Sequence, residues 1–502
     1  MKISLQKNDV AGIRADVLVV NLFQGVTKPG GATGAVDAAL GGALSREIAE
    51  LKFEGKLGEM LTLSTLGTLP ATRVVVVGLG PKQSFNAEAV RRVSGAIIRR
   101  FRNTGVQRIA TVLHGAGMGG LTAAAAAQAL AEGAWLANYQ FHKHRTPAKQ
   151  EKPKIAELII VEQDAAKLRQ AGTAVAQARA DVTGVELARD LVNEPASIAV
   201  PKHLVEHAKE IAALAPKRIT LTVLDRAACA KKGMGAFLAV ASGAGEEPYF
   251  IHLVYKPAKK AKKTVAVVGK GITFDSGGLQ IKPDHAMSTM KLDMAGAAAV
   301  LGLFRVLAER GSDVAVHGII AATENMPGPR AYKPGDVLRA MNGKTIEIGH
   351  TDAEGRVTLA DSLAYAADLK PNMIVDLATL TGAAMVALGE EVTALMTNDA
   401  KLGERVKRAA AETGERVWEL PLVPEYRDLI KGTFGDIANS SSVRYGGAIT
   451  AGLFLQEFVG ELPWAHLDIA GPAWAERENI SYMPKGGTGF GVRTLLAFLA
   501  HL

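Results

Sequence analysis

The chain has 502 residues, 48% of them hydrophobic and 22% charged, with a formal net charge of +8 from 58 basic and 50 acidic residues. These proportions are those of an ordinary globular protein rather than a disordered one, and the length is enough for two or more domains with sizeable cores. Cys229 is the single cysteine, which excludes an intrachain disulfide and a thiolate metal cluster. No signal-peptide pattern opens the chain and no apolar stretch approaches roughly eighteen residues, so a soluble, unexported, cytoplasmic protein with no membrane association is expected.

In the N-terminal third, apolar runs at 15–23, 73–78, 108–114 and 157–161 alternate with helical stretches at 87–102 and 121–139, an α/β pattern. Residues 74–80 open like a dinucleotide fingerprint, but Gln83 stands where the third glycine belongs, and the segment reads as a buried strand and tight turn. A basic, proline-bearing segment at 142–154 precedes one more strand, after which 165–191 reads as a long alanine-rich helix. This divides the chain into an N-terminal domain at 1–164, a connecting helix at 165–192 and a C-terminal domain at 193–502.

Beyond Asn193 the pattern lengthens. A helix at 201–215 is followed by strand-like runs at 219–224, 249–255, 264–269, 314–323, 373–377, 392–396 and 464–469. Helices are expected at 295–310, 355–369 and 450–459, giving one large α/β domain whose active site belongs at the carboxyl ends of its strands.

Two segments of that domain carry chemistry. The first, 270–278, reads Lys-Gly-Ile-Thr-Phe-Asp-Ser-Gly-Gly, and the second, 350–356, reads His-Thr-Asp-Ala-Glu-Gly-Arg, with Lys282 and Asp293 between them. Lys270 and Asp275 are expected on the loop after the strand at 265–268, where Gly271, Gly277 and Gly278 allow tight turns; Asp293 is expected at the head of the following helix. Gathered at one point, Asp275, Asp293, Asp352 and Glu354 would repel one another and be costly to desolvate unless dications neutralised them. Oxygen-rich ligation suits Zn²⁺, Mn²⁺, Co²⁺ or Mg²⁺, and a metal pair about 3.5–4 Å apart needs carboxylates that bridge. A lysine ligand must first lose its proton, which an adjacent dication favours; Lys282 and Arg356 remain as fixed cations able to stabilise an oxyanion or hold an anion. The set describes hydrolysis at a polarised carbonyl.

Competing motifs are weaker. His203, Glu206 and His207 fit an H-x-x-E-H zinc string, but they flank the apolar stripe of Leu204, Ala208, Ile211 and Ala215, as a solvated helix face would. Ser276 lacks a G-x-S-x-G elbow, and Cys229 lies in an Ala-Ala-Cys-Ala packing context. Basic clusters at 142–154 and 256–263 are compatible with contact to an anionic polymer, and equally with solvated loops.

With these motifs placed, the sequence resembles the leucyl aminopeptidases, also called cytosol aminopeptidases, over essentially its whole length. The family's Asn-Thr-Asp-Ala-Glu-Gly-Arg-Leu signature corresponds to His350 through Val357, followed by Leu359, Ala360 and Asp361. Further matching stretches lie at 269–278, 290–294, 324–327, 376–382 and 466–471. The resemblance implies a macro-like N-terminal α/β domain and a larger C-terminal α/β/α catalytic domain with a central mixed sheet. It also implies a hydrolase that removes N-terminal residues from peptides through a water activated by two metals. Carried over, Asp275 and Glu354 bridge two divalent ions (Mn or Zn, with Mg or Co as alternatives), Asp352 completes one site, and Lys270 and Asp293 complete the other. Lys282 becomes the electrophile and Arg356 the holder of a bicarbonate that helps move the proton, while Met290, Thr379, Leu380, Gly382, Ala470 and Ala473 line a pocket for leucine, methionine or another apolar residue. A hexamer is implied, and DNA binding is a further possibility because some bacterial members act as transcription or recombination factors.

The sequence departs from the family in three places. Val357 replaces the signature leucine, and Asp284–His285 follows Lys282–Pro283 where a small polar residue is more usual. The chief departure is His350 in place of asparagine: an imidazole beside a metal centre can orient a ligand or titrate near neutrality, and an orienting role is expected over direct ligation.

Overall fold

The computed structural model describes residues 1–146 and 153–502, so the basic segment at 142–154 lies partly outside the described residues. Those residues divide into two compact units, Met1–Val182 with Arg477–Pro484 and Thr183–Glu476 with Lys485–Leu502. The alanine-rich helix runs from Ala165 to Asn193, and the division between the units falls within it.

In the first unit, six strands lie in the order Lys2–Gln6, Glu157–Val161, Arg108–Val112, Val17–Leu22, Arg73–Gly78 and Met60–Ser64, all parallel except the last. Val17 to Val20 and Val74 to Val77 are fully buried, which is why these strands read as continuous apolar runs rather than alternating ones. The apparent dinucleotide turn has a packing explanation: a Cβ on Gly78 would lie 2.0 Å from the Lys56 carbonyl oxygen, so glycine is needed for backbone to pass backbone.

The second unit is built on an eight-stranded mixed sheet, ordered Arg416–Glu419, Val392–Thr397, Trp464–Asp468, Met373–Ala378, Thr264–Asp275, Ala315–Asn325, Tyr249–Tyr255 and Ile219–Leu224. Its four central strands, from Trp464–Asp468 to Ala315–Asn325, are mutually parallel, so their carboxyl ends meet on one edge. Helix Ala295–Arg310 packs on one face, where Gly318 lies under Val300 and Phe304. Helix Glu354–Asp368 covers the other face, and its Val357, Leu359 and Leu363 share a core with Ala266, Val268, Ile272 and Ile319. That helix is anchored by Asp361, whose carboxylate accepts the N–H groups of Phe237 (2.8 Å) and Met341 (2.7 Å). Burial pushes the Asp361 carboxyl up to about 7.

Close approach of helix Ala295–Arg310 to the sheet depends on paired glycines. A Cβ on Gly296 would sit 2.1 Å from the Leu377 carbonyl oxygen and 2.8 Å from the Lys270 amide nitrogen, and one on Gly269 would sit 2.5 Å from the Gly296 carbonyl oxygen. Gly296→Ala must therefore push helix from sheet; the expected loss is about 1–3 kcal/mol. It should appear in urea titration as a lower midpoint at unchanged slope.

Candidate metal centre and substrate cavity

Strand Thr264–Asp275 extends through the first motif, so Lys270 and Asp275 project from the strand itself rather than from a loop after it. Gly271 is likewise a strand residue, while Gly277 (φ +88°) and Gly278 (φ +66°) make the turn in a conformation that favours glycine. Five positions apart, Lys270 and Asp275 would face opposite sides of a regular strand. The register resolves this: Ile272 pairs with Thr323 but Asp275 pairs with Asn325, which places one extra residue in the motif strand. Such a bulge re-aims the side chain beyond it.

The remaining acids come from element ends. Asp293 closes the 3₁₀ turn Met290–Leu292, two residues before helix Ala295–Arg310 rather than at its head. Glu354 opens helix Glu354–Asp368, Arg356 follows in its first turn, and Asp352 lies just ahead of it. Gly355 lets Lys270 in, because a Cβ there would be 2.6 Å from the ammonium nitrogen.

The resulting centre is an alternation of charges. Lys270 Nζ lies 2.7 Å from Asp293 Oδ2 and 2.8 Å from Glu354 Oε1, and donates to the Thr379 carbonyl at 2.9 Å. Lys282 Nζ lies 2.8 Å from Asp275 Oδ2 and 2.6 Å from Asp352 Oδ1. Thr379 Oγ1 donates to Asp293 Oδ1 at 2.7 Å. Burial acts to lower both lysines, but the surrounding carboxylates outweigh it and hold each ammonium above its ordinary range. Burial and the Asp275 charge push Glu354 and Asp352 above the usual carboxylate range, and burial does the same to Asp293 against the pull of Lys270. Arg356 is pulled down to about 10 by burial and donates from Nη1 to the Asn439 carbonyl at 3.1 Å.

These residues fit a pair of divalent ions. Oxygens of Asp275, Asp293 and Glu354 lie within 4.8 Å of one another. Glu354 Oε2 is buried without a hydrogen-bond partner among the described residues. Four carboxylates face two ammonium groups at the centre, and oxygen donors with one amine form a set for hard or borderline dications.

The centre opens into a cavity of about 580 Å³ lined by all seven of Lys270, Asp275, Lys282, Asp293, Asp352, Glu354 and Arg356. Met290, Thr379, Leu380, Gly382 and Ala470 also line it, joined by Leu292, Met385 and Trp474. Ala473 is buried and lies outside that lining. His350 is exposed and also outside it; its Nδ1 accepts the Asp352 N–H at 3.2 Å.

Three buried residues organise the site: Asn325 and Asp468 fall in matching stretches of the sequence without a role having been read from them, and Asn439 falls in none. Asn439 accepts the Gly349 N–H (2.8 Å) and donates to the His350 carbonyl (2.7 Å), fixing the second segment from a distant loop. Asp468 accepts N–H bonds from Leu380 (3.1 Å), Thr381 (3.3 Å) and Ala470 (3.2 Å), shaping the cavity wall. Asn325 binds the Asp275 carboxylate. Asn325 and Asp468 end parallel strands that meet at the site, a signal that strand-end position offers; Asn439 offers none.

The competing motifs have structural explanations. His207 pairs with Glu210 at 3.1 Å and His203 with Glu206 at 3.8 Å, along one helix. Ser276 Oγ donates to the Asn325 carbonyl at 2.7 Å. Cys229 is buried, which pushes its thiol up to about 12. The basic run at 256–263 joins two strands, with Lys262 paired to Asp313 at 3.1 Å.

Comparison with known proteins points in one direction. The description "Cytosol aminopeptidase family, catalytic domain" matches residues 186–496 and its N-terminal domain matches 19–148. A probable cytosol aminopeptidase of Aquifex aeolicus is 45% identical over 505 residues, 99% of this chain and 98% of that protein. One from Geobacter sulfurreducens is 42% identical over 506 residues, 99% of each. Among solved structures, a mutant tomato leucine aminopeptidase superposes with a TM-score of 0.89 at 37% identity, covering 100% of this chain and 97% of that one. The bottromycin maturation enzyme BotP in complex with Mn gives 0.85 at 36% identity, covering 97% and 99%. No helix among the described residues is long and apolar enough to cross a membrane.

Gly355→Ala forces Lys270 out of the acid cluster. A displacement of this size should lower kcat/KM by on the order of 10²-fold. Near-native far-UV circular dichroism and reduced metal content should accompany the loss.

Proposed function

The chain belongs to the cytosol aminopeptidase family and is a metal-dependent aminopeptidase, and from that premise we propose how its residues divide the work. The observation that carries the reading is that five candidate ligands and two candidate catalytic cations line one cavity. Lys270, Asp275, Asp293, Asp352 and Glu354 would hold two divalent ions. When bound, such a pair supplies Lewis acidity toward a carbonyl and makes water a nucleophile near neutral pH.

Lys282 is held between Asp275 and Asp352 with its ammonium in the cavity, where it donates to a carbonyl oxygen as negative charge develops. Arg356 is anchored through Nη1 to Asn439, while its buried Nε has no hydrogen-bond partner among the described residues. Its guanidinium would hold an anion such as bicarbonate, which when bound would supply a group able to carry a proton between water and leaving amine. The carboxylates at the cavity floor attract the free α-amine of a peptide, which selects the N-terminal residue. Met290, Leu292, Leu380, Met385 and Ala470 supply apolar walls suited to leucine, methionine and similar side chains.

BotP, a similar structure, holds manganese, and the oxygen-rich donor set here supports manganese or zinc, with magnesium and cobalt as alternatives. The relatives' designation as cytosol enzymes and the lone cysteine support a cytoplasmic location. Exposed Phe434, Tyr445 and Val386 support burial against further subunits, in line with a homohexamer. His350 acts outside the ligand set: its Nδ1 takes the Asp352 N–H just as an asparagine oxygen takes the N–H two residues on.

Lys282→Ala should reduce kcat on leucine amide by on the order of 10²–10³-fold. Metal content should be preserved; full activity in this variant would remove the assigned role. A panel of aminoacyl amides, assayed with protein reconstituted by Mn²⁺, Zn²⁺, Co²⁺ or Mg²⁺, should rank apolar residues first. His350→Asn should retain both metals and stay within about 3-fold of the parent kcat/KM, as expected when a backbone-orienting bond is reproduced. Loss of one metal equivalent would make His350 a ligand instead.

A further inference from the structure

We propose that Asn325 is a positioning residue that locks Asp275 to the second ligand segment and thereby sets the affinity of the metal pair, an inference that rests on the ligand assignment above. Asn325 ends strand Ala315–Asn325, fully buried, and pairs in register with Asp275 immediately after the bulge. Its side-chain Nδ2 donates twice, to Asp275 Oδ1 at 2.8 Å and to the Thr351 carbonyl at 3.1 Å. One amide therefore joins the two motifs, which lie about seventy residues apart in sequence.

The surroundings reinforce this junction. The Asn325 backbone carbonyl accepts the Ser276 N–H at 3.0 Å and the Ser276 hydroxyl at 2.7 Å. Tyr332 OH donates to the same Thr351 carbonyl at 2.6 Å, and Thr351 Oγ1 donates to the Gly277 carbonyl at 2.7 Å. Gln280 accepts the Thr351 N–H through its side chain at 2.7 Å while donating its own N–H to Thr351 Oγ1 at 2.9 Å.

The chemistry of Asn325 is specific. Asp275 Oδ1 accepts from both Asn325 and the Gly277 N–H (2.9 Å), so donors occupy this oxygen and Oδ2 is the one turned toward Lys282. Asn325 Oδ1 has no hydrogen-bond partner among the described residues and faces Gly278, where a Cβ would lie 2.9 Å away. A buried acceptor left unsatisfied is costly, so the amide is held in place by what its NH₂ group does. An aspartate there would set carboxylate against carboxylate, and a leucine of similar shape would remove both donors.

The test is calorimetric titration of the metal-stripped full chain with Mn²⁺, for the parent, Asn325→Leu, Asn325→Asp and the milder Asn325→Ser. Thermal unfolding of each stripped protein and separate kcat and KM values accompany it. At least one Mn²⁺ equivalent should weaken by about 10–100-fold in the leucine and serine variants, and more in the aspartate variant, with kcat falling further than KM rises. Parent-like Mn²⁺ affinity in the leucine and serine variants would overturn the proposal, as would a lowered unfolding temperature with unchanged affinity, which marks a purely structural residue. Failure of the parent itself to take up Mn²⁺ would instead overturn the ligand assignment and this inference with it.

Discussion

Four carboxylates brought together at the carboxyl edge of a sheet are the constraint around which the catalytic unit is built. Asp275, Asp293 and Glu354 are almost completely buried, and the cost of desolvating such charges is large enough to neutralise them or unfold the site unless positive charge is interleaved. Lys270 and Lys282 each take two of the four, at distances between 2.6 and 2.8 Å. Even so Asp293, Asp352 and Glu354 stay pushed upward, and the balance is one that dications complete rather than one that salt bridges close.

The backbone pays for this arrangement in conformations rather than in bulk. Parallel central strands deliver Asp275, Asn325 and Asp468 to one edge, but strand periodicity alone would turn Asp275 away from Lys270. A single extra residue corrects its direction. Glycine then appears where side chains or backbones must pass: Gly355 beneath the Lys270 ammonium, Gly296 against Leu377, and Gly277 at the left-handed turn. At Gly355 an added methyl group moves a charge, and at Gly296 it moves helix from sheet.

What the sequence made legible follows from range. The buried strands at 73–78 and 264–269 declare themselves by continuous apolar runs, and Lys270, Asp275, Asp352 and Glu354 by clustering residue types that make no sense as solvated charges. The extension of the strand through Lys270 to Asp275 was hidden, because Gly271, Asp275 and the glycines after it read locally as a loop. The bulge was hidden for a different reason: it is a property of pairing with Ala315–Asn325, about fifty residues onward. Asn439 and Asp468 act on backbone groups far from them in sequence, and an asparagine that caps a remote turn looks like any other asparagine until the chain is folded. Ala473, which the resemblance placed in the pocket, is buried and is not among the residues that line the cavity.

Lys270 gives the charge balance a direction in time. Its ammonium directs hydrogen bonds to Asp293 and the Thr379 carbonyl and an ion pair to Glu354, and the carboxylates around it hold its proton more tightly than water does. Amine ligation demands the free lone pair, so an ion can take Lys270 as ligand only by displacing that proton while it neutralises the same carboxylates. With Lys270 as a ligand, metal uptake at this position would be a proton–dication exchange, favoured by the acids that hold the lysine charged. The side chain need not travel: it is already seated over Gly355 among the oxygens it would share with the ion.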